Sequence, residues 1–94
     1  MEESLHRLSK LFQALGNGVR LQLLRKLQEG ELSVKKLSEH VDRTSQTISH
    51  HLKILRDNDL LFARTVGKNR LYRIKRPKLV AACLGLIKFL RRDE

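Results

Sequence analysis

Thr44-Ser45-Gln46-Thr47-Ile48-Ser49-His50-His51-Leu52-Lys53-Ile54-Leu55-Arg56-Asp57-Asn58 is the stretch from which the rest of the chain can be placed. On a 3.6-residue period Ile48, Leu52 and Leu55 share one face, and Gln46, Ser49, His50 and Lys53 fall opposite. The apolar face can pack on a domain while the polar face keeps its donors and acceptors in solvent. Thr44 is a residue type that caps helices. Upstream, Ser33 can cap a helix at about Val34 to His40, and Val41-Asp42-Arg43 makes a tight turn between the two helices. Downstream, Leu60 to Val66 and Asn69 to Lys75 are strand-like and meet at Gly67-Lys68. Gly67 can supply the positive φ that a short hairpin needs. Helix, turn, helix and hairpin in this order predict a mainly α fold with a small β-hairpin, a winged helix-turn-helix. Its reading helix is expected at about 44–58 and its wing at about 60–75.

The flanks extend this frame. A first helix is expected from about Glu3 to Leu15, with Leu5, Leu8, Phe12 and Leu15 on one stripe. Gly16-Asn17-Gly18 breaks it. A second, about Val19 to Glu29, turns Val19, Leu23, Leu24 and Leu27 inward, with Gly30 past its end as a C-cap glycine would be. Glu31-Leu32 reads as a short strand added to the hairpin. Pro77 suits the first turn of a last helix, about Pro77 to Arg92. Leu79, Cys83, Leu86 and Leu90 form one apolar stripe of that helix, and Val80, Leu84 and Ile87 form a second beside it. The predicted order is α-α-(β)-α-α-β-β-α, a single domain over 1–94 with no linker, repeat or low-complexity stretch. One stripe of the last helix serves the domain; two suggest a partner surface. The reading is a homodimer joined through helices at about 3–15 and 77–92, with Leu5, Leu8, Phe12, Leu79, Cys83, Leu86 and Leu90 at the interface.

Charge points to the partner. The 94 residues carry a formal net charge of +10. Between Arg43 and Arg76 there are nine Lys or Arg and two acids, Asp57 and Asp59, so this span holds +7 (nine minus two). Positive charge concentrated on a groove-sized helix and its wing suits a polyanion better than a merely solvated surface. Side chains near the start of the reading helix are expected at base edges. Gln46 can pair bidentately with adenine, Thr44, Ser45, Ser49 and His50 can bond to bases or phosphates, and Lys53 can hold backbone. In the wing Arg64, Lys68, Asn69 and Arg70 can meet phosphates or the minor groove. Charged residues also guard exposed strand edges, but here they follow a reading helix. His50 and His51 point about 100° apart, so they do not form an i, i+4 metal pair. His51 flanks the apolar face and reads as a partly buried structural residue. Cys83, the one cysteine, excludes an intrachain disulfide. It reads as a small buried apolar residue, with a thiol switch at a symmetric interface as the sharper alternative. Nothing at Met1 to Leu15 looks like a signal peptide, and no apolar run is long enough to cross a bilayer, so a cytoplasmic protein without a membrane partner is expected.

About Leu11 to Ile74 resembles the ArsR/SmtB family of bacterial and archaeal repressors. Phe12-Gln13-Ala14-Leu15-Gly16-Asn17-Gly18-Val19-Arg20-Leu21 looks like the family's opening "LadptRl" segment. Gly30-Glu31-Leu32-Ser33-Val34 stands where the family often reads "GELCVC". Ser45 to Leu55 is close to "SqstvSxHLkvLreaGLv", followed by Leu60-Leu61 and the Gly67 hairpin. The resemblance implies a homodimer using its first and last helices, repression by operator binding, and inducer-driven release. There are departures. Gly18 stands at or beside the family's usual proline. Asp42-Arg43 replaces a glycine and an apolar residue in the turn, which lets Arg43 reach a phosphate. The metal sensors' Cys-x-Cys places hold Ser33 and Lys35, and Pro77 to Arg92 contains no His, Asp or Glu. Neither familiar metal site is present, and no metal or other cofactor is expected.

The leading functional reading is therefore a sequence-specific, homodimeric DNA-binding repressor on a palindromic duplex operator. The alternative is an architectural or RNA-binding winged-helix protein with low sequence specificity. A protein-docking module fits less well with the basic helix and wing. No phosphate loop or nucleophile–base set supports an enzyme.

Overall fold

The computed structural model describes residues 2–91. Five helices and a three-stranded sheet follow in the order α1 (Glu3–Leu15), α2 (Gly18–Leu27), β1 (Leu32–Ser33), α3 (Val34–Val41), α4 (Ser45–Asp57), β2 (Leu61–Val66), β3 (Asn69–Ile74) and α5 (Pro77–Gly85). A short 3-10 turn, Leu86–Phe89, continues α5. The sheet order is β1-β3-β2 and all pairs are antiparallel. The fold is a winged helix-turn-helix in the order the sequence predicts.

Local chemistry accounts for the element ends. The side chains of Asn17, Ser33 and Thr44 accept hydrogen bonds from the backbone N–H groups of Arg20, Lys36 and Thr47, so α2, α3 and α4 all start on a side-chain cap. Asp42 ends α3 at φ 58°, the left-handed conformation that Asp tolerates better than most residues. The wing turn has positive φ at Gly67, with Lys68 completing a two-residue connection between Val66 and Asn69. This is the II′ pattern, whose twist matches the strands it joins.

The core is a single cluster. Leu23, Leu24, Leu37, Ile48, Leu52, Leu55, Leu60 and Val80 are fully buried, joined by Ala14, Leu15, Leu27, Val41, Leu61 and Tyr72. The apolar face of α4 is thus spent on its own domain, as its periodicity requires. The domain measures 21 Å across its shortest principal direction, so a large share of its helical surface is left outside.

Several boundaries differ from the sequence reading. The added strand is Leu32–Ser33, one residue later than Glu31-Leu32, and pairs Leu32 with Tyr72. Leu60 is buried ahead of β2 and does not start it. α2 ends at Leu27, and Gly30, at φ 139°, closes the following turn and does not cap the helix directly. The last helix does not run unbroken from Pro77: α5 ends at Gly85 and tightens into the 3-10 turn. Glycine is a poor helix former because it loses the most backbone freedom on folding. Arg92, the expected end of that helix, lies outside the described residues.

The apolar stripes also divide differently. On α1, Leu15 is buried with Ala14 whereas Leu5, Leu8 and Phe12 are exposed. On α5, Val80 is buried, and Leu79, Cys83 and Leu84 are partly buried against the core. Leu86, Phe89 and Leu90 stand outside. The outward apolar surface is therefore Leu5, Leu8, Phe12, Leu86, Phe89 and Leu90. Leu79 and Cys83 mainly serve the domain, and Phe89 was absent from the predicted set.

Candidate nucleic-acid interface

α4 presents the expected polar face. Ser45, Gln46, Ser49, His50 and Lys53 are all exposed, on the side opposite the buried Ile48, Leu52 and Leu55. Thr44 is committed to the N-terminus of α4: its Oγ1 accepts from Thr47 N at 3.2 Å and donates to Thr47 Oγ1 at 3.0 Å. Arg43 is exposed just before it and donates to the Asp42 carbonyl at 3.0 Å. Gln46, Ser49 and His50 therefore sit near the helix start, where residues of a reading helix approach base edges.

The cations separate into free and paired groups. Lys68 and Asn69 occupy the exposed tip of the wing. Arg70 donates to Thr65 Oγ1 at 3.3 Å and lies 5.8 Å from the centre of the Tyr72 ring. Arg64 differs from expectation: its Nε and Nη2 donate to the Glu31 carboxylate at 2.9 and 2.7 Å. This bidentate pair ties β2 to the residue preceding β1. It holds the Glu31 carboxyl below, and the Arg64 guanidinium above, their usual ranges. Arg64 thus braces the wing with a largely neutralised charge. Lys53 makes a 2.7 Å ion pair with Asp57 one turn along α4, and its hydrogen bond lowers the Asp57 pKa. The pair is exposed on both sides, so a phosphate can compete for the ammonium at little cost.

Two further residues set the position of α4, and the sequence reading missed both. Arg20 donates from Nε to the Ala14 carbonyl at 2.6 Å and from Nη2 to the Gln13 carbonyl at 3.2 Å. Carbonyls at a helix C-terminus lack intrahelical partners, and a guanidinium there also meets the negative end of the helix dipole. The same side chain brings Nη1 to 3.2 Å from His51 Nδ1. Arginine can only donate, so Nδ1 accepts and His51 is the neutral imidazole with its proton on Nε2. Arg20 therefore joins the end of α1 to the middle of α4. Asp59, at φ 63° between α4 and β2, is the second. Its carboxylate receives Lys75 and Arg76, and its carbonyl accepts from Arg76 Nε at 3.1 Å. Helix α4, the wing and the start of α5 meet there.

These contacts set a pH dependence. Burial, followed by the nearby charges of Arg20, His50 and Arg43, lowers the His51 pKa from its ordinary 6.5. Folding thus favours neutral His51. The stability this gives is fully present above pH 6.5 and is lost as pH falls through the depressed value. Asp59 is held low by Lys75 first and Arg76 second, and Glu31 and Asp57 are also lowered. Their contribution is present above the usual carboxylate range and disappears below it. Thermal unfolding is therefore expected to show two acid-side losses, and His51→Gln should flatten the upper one alone. An unchanged upper slope in that variant would refute the assignment to His51.

Among the described residues no three of His, Cys, Asp or Glu come together to hold a metal ion, and no helix is long and apolar enough to cross a membrane. Cys83 is a half-buried free thiol.

A winged helix-turn-helix with an exposed polar reading face defines the class. The family described as "Bacterial regulatory protein, arsR family" matches residues 17–61. The arsenical resistance operon repressor of Staphylococcus xylosus is 37% identical over 67 residues, covering 71% of this chain and 64% of that repressor's length. The structure is similar to HlyU from Vibrio cholerae, with 31% identity, a TM-score of 0.82, and coverage of 96% of this chain and 97% of HlyU. It is also similar to Mb0332 from Mycobacterium bovis, with 31% identity, a TM-score of 0.77, and coverage of 92% and 79%. Mb0332 is described as a homodimeric winged helix-turn-helix DNA-binding domain and a possible ArsR-family transcriptional regulator. The chain belongs to the ArsR family of regulatory proteins.

Proposed function

We propose that the whole chain is one functional domain, and that two copies pair through α1 and the segment after Pro77 to form a sequence-specific transcriptional repressor. The observation that carries this is the exposed face of α4. It sets Gln46, Ser49 and His50 near the helix start while the opposite face is locked into the core. In this reading the two α4 helices enter successive major grooves of a palindromic operator. Lys53 and Arg43 hold phosphates, and Lys68, Asn69 and Arg70 contact flanking backbone. Release of DNA does not pass through either familiar metal site, whose positions carry Ser33, Lys35 and a last helix without His, Asp or Glu. The protein acts in the cytoplasm, as a regulator without catalytic activity.

Gln46→Ala is expected to cost about 1–3 kcal/mol on the true operator and little on random duplex, because the lost contact is to a base edge. Lys53→Ala should weaken both by a similar factor. Half-sites should lie roughly 34–36 Å apart, one DNA turn, or a multiple of it. Titrations of operator and random duplex at one fixed salt decide the matter. Equal losses on both for Gln46→Ala would place Gln46 on backbone. Equal affinity of the wild type for both duplexes would favour the architectural reading.

A further inference from the structure

A second basic cluster lies away from the reading face. His6 and Lys10 stand one turn apart on α1, on a side rotated by about 100° or more from Leu5, Leu8 and Phe12. Together with Arg76 they rim a cavity of about 450 Å³. Its apolar lining includes Leu11, Leu60 and Leu79, and its far wall is the Asn58-Asp59 junction at the end of α4. Arg7, at the edge, pairs with Glu3 at 3.2 Å. Asp59, the acid of the lining, is already engaged by Lys75 and Arg76. Among the described residues Lys10 has no acidic partner. A cavity of this size with a cationic rim and an apolar lining matches a small molecule with a charged head and an apolar body.

Arg76 gives this site a consequence. It is one of the two side chains that hold Asp59, and Asp59 joins the reading helix to the wing in a left-handed conformation. An anion bound by Lys10 and His6 competes with Asp59 for the Arg76 guanidinium. Occupancy and the setting of α4 against the wing are therefore linked through one side chain.

We propose that this cavity binds a small organic anion with an apolar body, of the aryl phosphate or aryl carboxylate class, and that occupancy weakens DNA binding. The second half rests on the repressor reading; the first does not.

The probe is phenyl phosphate, titrated into the ¹⁵N-labelled full chain at constant ionic strength. Saturable shifts are expected in the amides of residues 6–11, 58–60, 76, 78 and 79. The double variant His6→Gln, Lys10→Gln should bind roughly tenfold or more weakly, because two charge-assisted contacts are lost. Inorganic phosphate, which lacks the ring, should show a similar deficit. In a parallel arm, phenyl phosphate should lower duplex affinity more than sodium chloride of equal ionic strength, and this excess should vanish in the double variant. Shifts equally strong at Arg43, Lys68 and Arg70, or equal binding of inorganic phosphate, would overturn the site. Confined, saturable binding with no excess effect on DNA would overturn the coupling. Confined binding by a protein that has no affinity for duplex would count against the repressor reading and leave the site standing.

Discussion

Affinity for duplex DNA is expected to fall by roughly a thousandfold or more as salt rises from about 50 to about 200 mM. The size of this loss depends on which cations are available to phosphates. Of the nine between Arg43 and Arg76, Arg64 is held by Glu31, Lys75 and Arg76 are held by Asp59, and Arg56 lies 3.8 Å from Asp57. Arg73 stacks 4.2 Å from the Phe62 ring centre, on the face of the sheet away from Tyr72. Arg43, Lys68 and Arg70 have no acidic partner among the described residues, and Lys53 gives up only an exposed pair with Asp57. Three or four such cations in each of two copies neutralise roughly six to eight phosphates, and each contributes about 0.9 to the log–log slope. Lys68→Ala should lower affinity for all sequences about equally and reduce the slope by about one per copy. Arg64→Ala should change the slope less, since its charge is already neutralised, and should instead loosen the wing from Glu31. A flat log–log plot would contradict the assignment, and so would a larger slope change for Arg64→Ala than for Lys68→Ala.

The division between free and paired cations was the part of the interface least legible in the sequence. Helix α4 and its caps could be read because they depend on residues three or four apart: Ile48, Leu52 and Leu55 repeat at the helical period, and Thr44 precedes them. The wing could be read from Gly67 between two strand-like runs. The Arg64–Glu31 pair spans 33 residues and the Arg20–His51 contact spans 31. No local period encodes such pairs. Arg20 looks like one more solvated cation of α2 until α1 and α4 are packed on either side of it. Gly85 did carry a signal, since glycine inside an apolar helix weakens it, but the continuous apolar pattern on either side concealed the break. Asp42 and Asp59 take left-handed conformations for which the sequence offers Asp instead of Gly, so the turn chemistry was present but weak.

The expected interface between copies is narrower than the stripes of the last helix. The two stripes of the last helix suggested that one was surplus to the domain. The structure spends Val80 and most of Leu79, Cys83 and Leu84 on the core, and the surplus lies in the turn after Gly85 together with the outer side of α1. Phe12, Leu86, Phe89 and Leu90 are 60%, 55%, 74% and 79% exposed. Covering a large apolar side chain fully is worth about 1.5–3 kcal/mol, so this patch is costly to leave in water.

Leu86→Glu is therefore expected to convert a dimer into monomers and to lower operator affinity by about a hundredfold or more. The charge would sit within the exposed apolar patch, where an unpaired carboxylate must be desolvated when a partner closes over it. Its effect on the fold should be small, because Leu86 is more than half exposed in the isolated domain. The loss of affinity follows from geometry. A dimer places two α4 helices on one duplex, and the second binds as an intramolecular event worth about 10²–10⁴ in apparent affinity. Cys83→Ser, half-buried against the core, should leave both oligomeric state and DNA binding nearly unchanged. Sedimentation at micromolar concentration, paired with an operator titration, checks both variants. If Leu86→Glu precipitates, Leu90→Lys at the more exposed end of the patch gives the same reading. A monomeric wild type would sink the proposed pairing. A Leu86→Glu dimer with full operator affinity would show that the copies meet elsewhere.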